Sequence, residues 1–119
     1  MSDARKEERK KVITFTPVYD EGKLLLGYLG NLTLLGALLV SETPIEVGRS
    51  LTLSIEFRET SEVPADARIT IPAHAVWCEL EPHQTYYGTG LEFVEVTEQN
   101  KRAIEAVLKK YEFSRKMPT

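Results

Sequence analysis

The sequence predicts an all-β domain with one C-terminal helix: a small antiparallel barrel or sandwich on which the helix packs. Three observations carry this. Apolar and polar residues alternate with a period of two through the middle of the chain. Turn residues interrupt that alternation at short intervals, with no helical pattern between them. The period lengthens to that of a helix only after Thr97. A chain of 119 residues is one domain, large enough for a core without metal or disulfide staples. Residues 1–119 therefore read as a single unit, with a flexible basic arm over 1–11, a barrel over 12–96 and a helix over 97–113.

The arm gathers Arg5, Lys6, Arg9, Lys10 and Lys11, tempered by Glu7 and Glu8, and has little apolar surface to bury. Strands are expected at Val12–Val18, Lys23–Leu29 and Leu35–Val40, with a turn at Asp20–Gly22. A second turn, Glu46–Gly48, leads into "LTLSIEFR", where Leu51, Leu53, Ile55 and Phe57 face one way and Thr52, Ser54, Glu56 and Arg58 the other. The polar run Glu59–Asp66 separates it from "ARITIPAHAVWCEL", which sets Ile69, Ile71, Ala73, Ala75 and Trp77 on one apolar face. Pro72 inside this strand signals an edge or a bulge, because proline cannot donate to a ladder. Tyr86–Phe93 completes the strands. The helix after it lines up Ala103, Ile104, Val107, Leu108 and Tyr111, with Thr97 as N-cap, Glu98 at the positive end and Lys109 and Lys110 at the negative end.

Composition narrows the function. Hydrophobic residues make up 42% and charged residues 28%, as in an ordinary globular protein. A net charge of −3 disfavours a nucleic-acid polymer as partner, and a short basic arm on an acidic body suits one small anion better. The single cysteine, Cys78, points to a reducing compartment. No apolar segment follows the charged start, and the longest apolar run, Leu32–Val40, is far short of the roughly 20 residues that span a bilayer. A cytoplasmic protein with no membrane partner is expected.

Catalysis finds little to work with. His74 sits in a strand and His83 in a turn, with no nucleophile motif beside either. Cys78 in an apolar strand reads as a buried, inert thiol. Two isolated histidines and one cysteine do not make a metal site. "NLT" matches a glycosylation acceptor, but its flanks are apolar and nothing indicates secretion. No enzyme, metal or cofactor is expected.

Binding explains more. In "GNLTLLGALL", Asn31 and Thr33 point to the same side of an extended segment and can offer an amide and a hydroxyl to a base edge or phosphate oxygen. Gly36 permits a sharp turn or a close backbone approach. Arg5 and Arg9 carry planar forks of N–H donors that match phosphate or the O6/N7 edge of guanine. Trp77 could stack on a base, although its place on the apolar face favours the core.

"RKEER" (Arg5–Arg9) followed by "NLTLLG" (Asn31–Gly36) resembles the PilZ domain family, whose signatures are RxxxR and [D/N]xSxxG, with Thr33 in place of the serine. The likeness extends through "VWCELEPHQTYYGTGLEF" and the terminal helix. It implies a six-stranded barrel that binds cyclic di-GMP, a bacterial second messenger. By that resemblance Arg5 and Arg9 clamp the ligand from the arm, Asn31 and Thr33 hydrogen-bond it from the barrel, and Gly36 keeps the surface open. Lys10 adds electrostatic attraction. Ordering of the arm would create a surface for an unidentified protein partner, in motility, surface attachment or exopolysaccharide control. The alternative is a PilZ-like interaction module that binds no nucleotide.

Overall fold

The computed structural model describes residues 11–57, 68–82, 85–115 and 117. In chain order the elements are β1 (Lys11–Ile13), β2 (Pro17–Tyr19), β3 (Leu25–Leu32), β4 (Gly36–Ser41), β5 (Ser50–Glu56), β6 (Arg68–Leu80), β7 (Tyr87–Phe93), α1 (Glu98–Lys110) and β8 (Tyr111–Phe113). Six of the strands close into a barrel in the order β2-β3-β4-β7-β6-β5, every neighbouring pair antiparallel. The expected barrel is thus the observed one. Closure also leaves no long strand edge in need of cover.

Strand β6 makes closure possible by changing partners along its 13 residues. Its first half, Arg68–His74, pairs with β5; its second half, Ala73–Leu80, pairs with β7. Pro72 fits where the change occurs. Its carbonyl accepts the Val94 N–H at 2.9 Å, just past the end of β7, so its missing N–H faces a side where the ladder has run out. Two residues earlier, the Thr70 carbonyl accepts the Asn100 side-chain amide of α1 at 3.0 Å, which covers the next open position.

The alternating residues do what their spacing predicts. Leu51, Leu53 and Ile55 of β5 and Ile69, Ile71, Ala73 and Ala75 of β6 are buried in one core with Val18, Leu29, Leu39, Leu91 and Phe93. Helix α1 adds Ile104 and Val107 to that core. Thr97 caps the helix as expected, its hydroxyl accepting the Asn100 N–H at 3.1 Å.

Two boundaries and one turn stand out against the sequence. The helix stops at Lys110 instead of 113, because Tyr111 takes extended backbone and Tyr111–Phe113 pairs in parallel with β1. This buries Tyr111 and brings the Phe113 ring within 6.2 Å of Phe57. The expected strand Val12–Val18 is broken into β1 and β2 at Phe15, whose φ of 61° is left-handed. The Phe15 ring packs edge-on against Tyr28, with centroids 6.2 Å apart. In the turn after β2 it is Lys23, with φ 67°, and not the neighbouring glycine that takes the left-handed conformation.

Thr16 comes directly after the Phe15 break. Its carbonyl accepts the Leu29 N–H at 2.8 Å, but its hydroxyl is buried with no partner among the described residues. A buried, unpaired hydroxyl costs about 1–3 kcal/mol. Thr16→Val, which keeps the shape and removes the hydroxyl, is therefore expected to raise unfolding free energy by about 1 kcal/mol, read as a higher urea midpoint with an unchanged slope.

Candidate functional site

Two β-bulges turn side chains toward one outer surface. In β3 the pairing with β4 jumps from Leu29↔Leu39 to Asn31↔Leu38, so Gly30 is an extra residue. In β6 the pairing with β7 jumps from Ala75↔Leu91 to Trp77↔Gly90, so Val76 is extra. Each bulge reverses the facing of the residues beyond it. Leu29 is buried while Asn31 is exposed; Ala75 is buried while Trp77 is 40% exposed. Trp77 is therefore not the core residue that strict alternation makes it.

The result is a row of register partners across four strands: Asn31, Leu38, Gly90 and Trp77. Trp77 lies directly on the β7 backbone. A Cβ built on Gly90 would stand 2.2 Å from the indole Nε1, so only glycine admits the ring there. A shallow groove of about 310 Å³ runs along this row, with Thr33, Leu35, Gly36, Val76 and Glu92 also lining it. Leu35 and Val76 are exposed apolar side chains beside the indole.

The residues of "NLTLLG" divide their labour. The Thr33 hydroxyl accepts the N–H groups of Leu35 and Gly36, both at 3.1 Å, and donates to the Gly36 carbonyl at 3.3 Å. Two acceptances and one donation fill a hydroxyl's capacity, so Thr33 shapes the β3–β4 loop. Gly36 answers to its neighbour strand: a Cβ there would lie 2.1 Å from the Leu91 carbonyl oxygen. Asn31 is different. Its Oδ1 accepts the Leu32 N–H at 2.9 Å, and its amide N–H groups have no partner among the described residues.

No lysine or arginine is among the described residues that line the groove. Its charged side chain is Glu92, whose Oε1 lies 2.9 Å from His74 Nε2. The described groove therefore offers an aromatic face, an amide and a carboxylate, which suit a planar base better than a phosphate. Arg5, Arg9 and Lys10, the expected cations, lie outside the described residues. Asn31, Thr33, Gly36 and Trp77 line one groove, together with Leu38, Gly90 and Glu92, which the motifs did not single out. The alternation of "YGTGLEF" already puts Gly88, Gly90 and Glu92 on one face, but only the pairing register delivers Trp77 to Gly90.

A polar groove of about 370 Å³ on the β2–β5–β6 side is slightly larger, lined by residues including Tyr19, Thr52, Ser54 and Thr70. Its Arg68 is already ion-paired with Glu56, as on an ordinary solvated strand face. Among the described motif residues, neither Asn31, Thr33 nor Gly36 lines it.

A family model for the PilZ domain matches residues 3–110. The chain belongs to the PilZ domain family. The matched span takes in Arg5 and Arg9 along with the whole groove. Among solved structures, this PilZ chain is similar to one of the Bacillus subtilis inhibitor of motility (MotI/DgrA), with a TM-score of 0.60 and 20% identity. The alignment covers 76% of the PilZ chain and 43% of the other, so it spans less than half of that protein and is a likeness of fold. No curated protein matches the sequence. No helix among the described residues is long and apolar enough to cross a membrane.

Substitutions at two positions test this geometry in the ligand-free PilZ domain. Thr33→Ala removes the acceptor of two loop N–H groups and is expected to cost about 1 kcal/mol of unfolding free energy, as loss of a helix N-cap does, while Thr33→Ser costs little. Gly90→Ala is expected to lift Trp77 off the strand. Because Trp77 is the chain's one tryptophan, a red-shifted emission spectrum reads this directly.

Proposed function

We propose that this PilZ domain is a receptor for cyclic di-GMP that acts through a protein partner. The row Asn31–Leu38–Gly90–Trp77 carries the proposal, because the two bulges that break strand alternation set an amide and an indole on one groove. A guanine stacks on the Trp77 face, and the Asn31 amide donates to the base or to a phosphate oxygen. The ligand also carries two phosphodiester charges, and the groove's described lining has no cation to meet them. Arg5 and Arg9 supply that charge from the arm, aided by Lys10. Thr33 and Gly36 act through the loop they shape. Arm and ligand together, next to exposed Leu35 and Val76, form the surface that a partner reads. Control of motility, the role in the name of the similar Bacillus subtilis protein, is one output open to such an adaptor.

Titration with cyclic di-GMP, followed by calorimetry and by Trp77 emission, tests the proposal. Micromolar or tighter binding with quenched emission is expected, weakened at least tenfold by Arg9→Ala and absent for cyclic di-AMP. Backbone amide signals of residues 1–11 are expected to shift on saturation. Absence of heat and of quenching at low salt, with the barrel folded, would favour the module that binds no nucleotide.

A further inference from the structure

Glu92 is out of place in a groove for an anion. It stands two residues beyond Gly90 on the same outer face of β7, roughly 7 Å along the strand from the Trp77 platform. The outer register row here is Gly36, Glu92 and His74. His74 Nε2 lies 2.9 Å from Glu92 Oε1 and flanks the carboxylate on that side. Glu92 Oε2 has no partner among the described residues, and the side chain keeps 60% of its exposure. A carboxylate in a groove that must accept a dianionic ligand repels it, unless N–H donors of that ligand meet the carboxylate.

Guanine has such donors. Its Watson–Crick edge presents N1–H and the N2 amino group side by side, two parallel donors that a carboxylate accepts as a pair. Adenine presents a lone pair at N1, which would face the carboxylate's own lone pairs. The spacing and the unspent oxygen thus match one purine and reject the other.

We infer that Glu92, held in place by His74, selects guanine in this groove by accepting N1–H and N2–H of a base stacked on Trp77. Glu92 is then the specificity-determining residue and His74 its positioning residue. The inference rests on the receptor function proposed above.

The probes are cyclic di-GMP and cyclic di-IMP, whose hypoxanthine bases lack the N2 amino group, titrated against wild type and Glu92→Gln while Trp77 emission is followed. Wild type is expected to prefer the guanine ligand by about ten- to hundredfold, the worth of one hydrogen bond to a charged group. In Glu92→Gln, affinity for cyclic di-GMP is expected to fall at least tenfold and the preference over cyclic di-IMP to shrink to near unity. If wild type binds but Glu92→Gln binds cyclic di-GMP equally or more tightly, or keeps the full preference, the inference is overturned and the receptor function stands. If wild type binds neither ligand, both fall together.

Discussion

Closing six short strands into one ring requires β6 to serve two neighbours. It leaves β5 after His74 and runs beside β7 to its end, and it adjusts its register to β7 with one extra residue, Val76. The site depends on that adjustment. Without it, Trp77 would follow Ala75 into the core and the outer surface would lack its aromatic platform. Gly30 in β3 supplies the matching adjustment at the other end of the row and exposes Asn31. A barrel thus gains a concave, partly apolar outer face without opening its interior.

The glycines around this face are set by near neighbours. Gly36 leaves room for the Leu91 carbonyl, and Gly90 for the Trp77 indole. In both cases protein atoms fill the space that a Cβ would need, so these glycines build the groove before any ligand arrives. The same holds for the Thr33 hydroxyl, whose three hydrogen bonds are all to its own loop. Thr33 and Gly36 thus also hold the β3–β4 loop and set β4 against β7. Asn31 and Trp77 keep the exposed functional groups.

The rest of the chain braces the barrel from outside. The C-terminal segment beyond β8 is tied down by Arg115, whose guanidinium reaches both carboxylate oxygens of the largely buried Glu81, at 2.8 and 3.0 Å. The Arg115 carbonyl accepts the Tyr86 hydroxyl at 3.0 Å. Strand β8 in turn pairs with β1, so the segment that leads out of the arm is held alongside the end of the helix. Thr16 and Phe15, with an unpaired hydroxyl and a left-handed backbone, mark the join between that outer pair and the barrel proper.

Much of this was legible in the sequence. Alternation in "LTLSIEFR" and in the first half of "ARITIPAHAVWCEL" fixes which side chains are buried, because a strand has a period of two and one face of each is in the core. The helical stripe and its Thr97 cap are equally local, and the paired motifs were enough to suggest the family. Three things were decided only in the folded chain. The facing of Trp77 depends on a bulge set by the register with β7, which local pattern does not reveal. The helix ends at Lys110 because Tyr111–Phe113 finds a strand partner about a hundred residues away in β1. Glu92 and His74 meet only because β6 and β7 lie side by side. Local periodicity determines the elements and their buried faces; long-range pairing determines which outward residues become neighbours, and the candidate site is made of such neighbours.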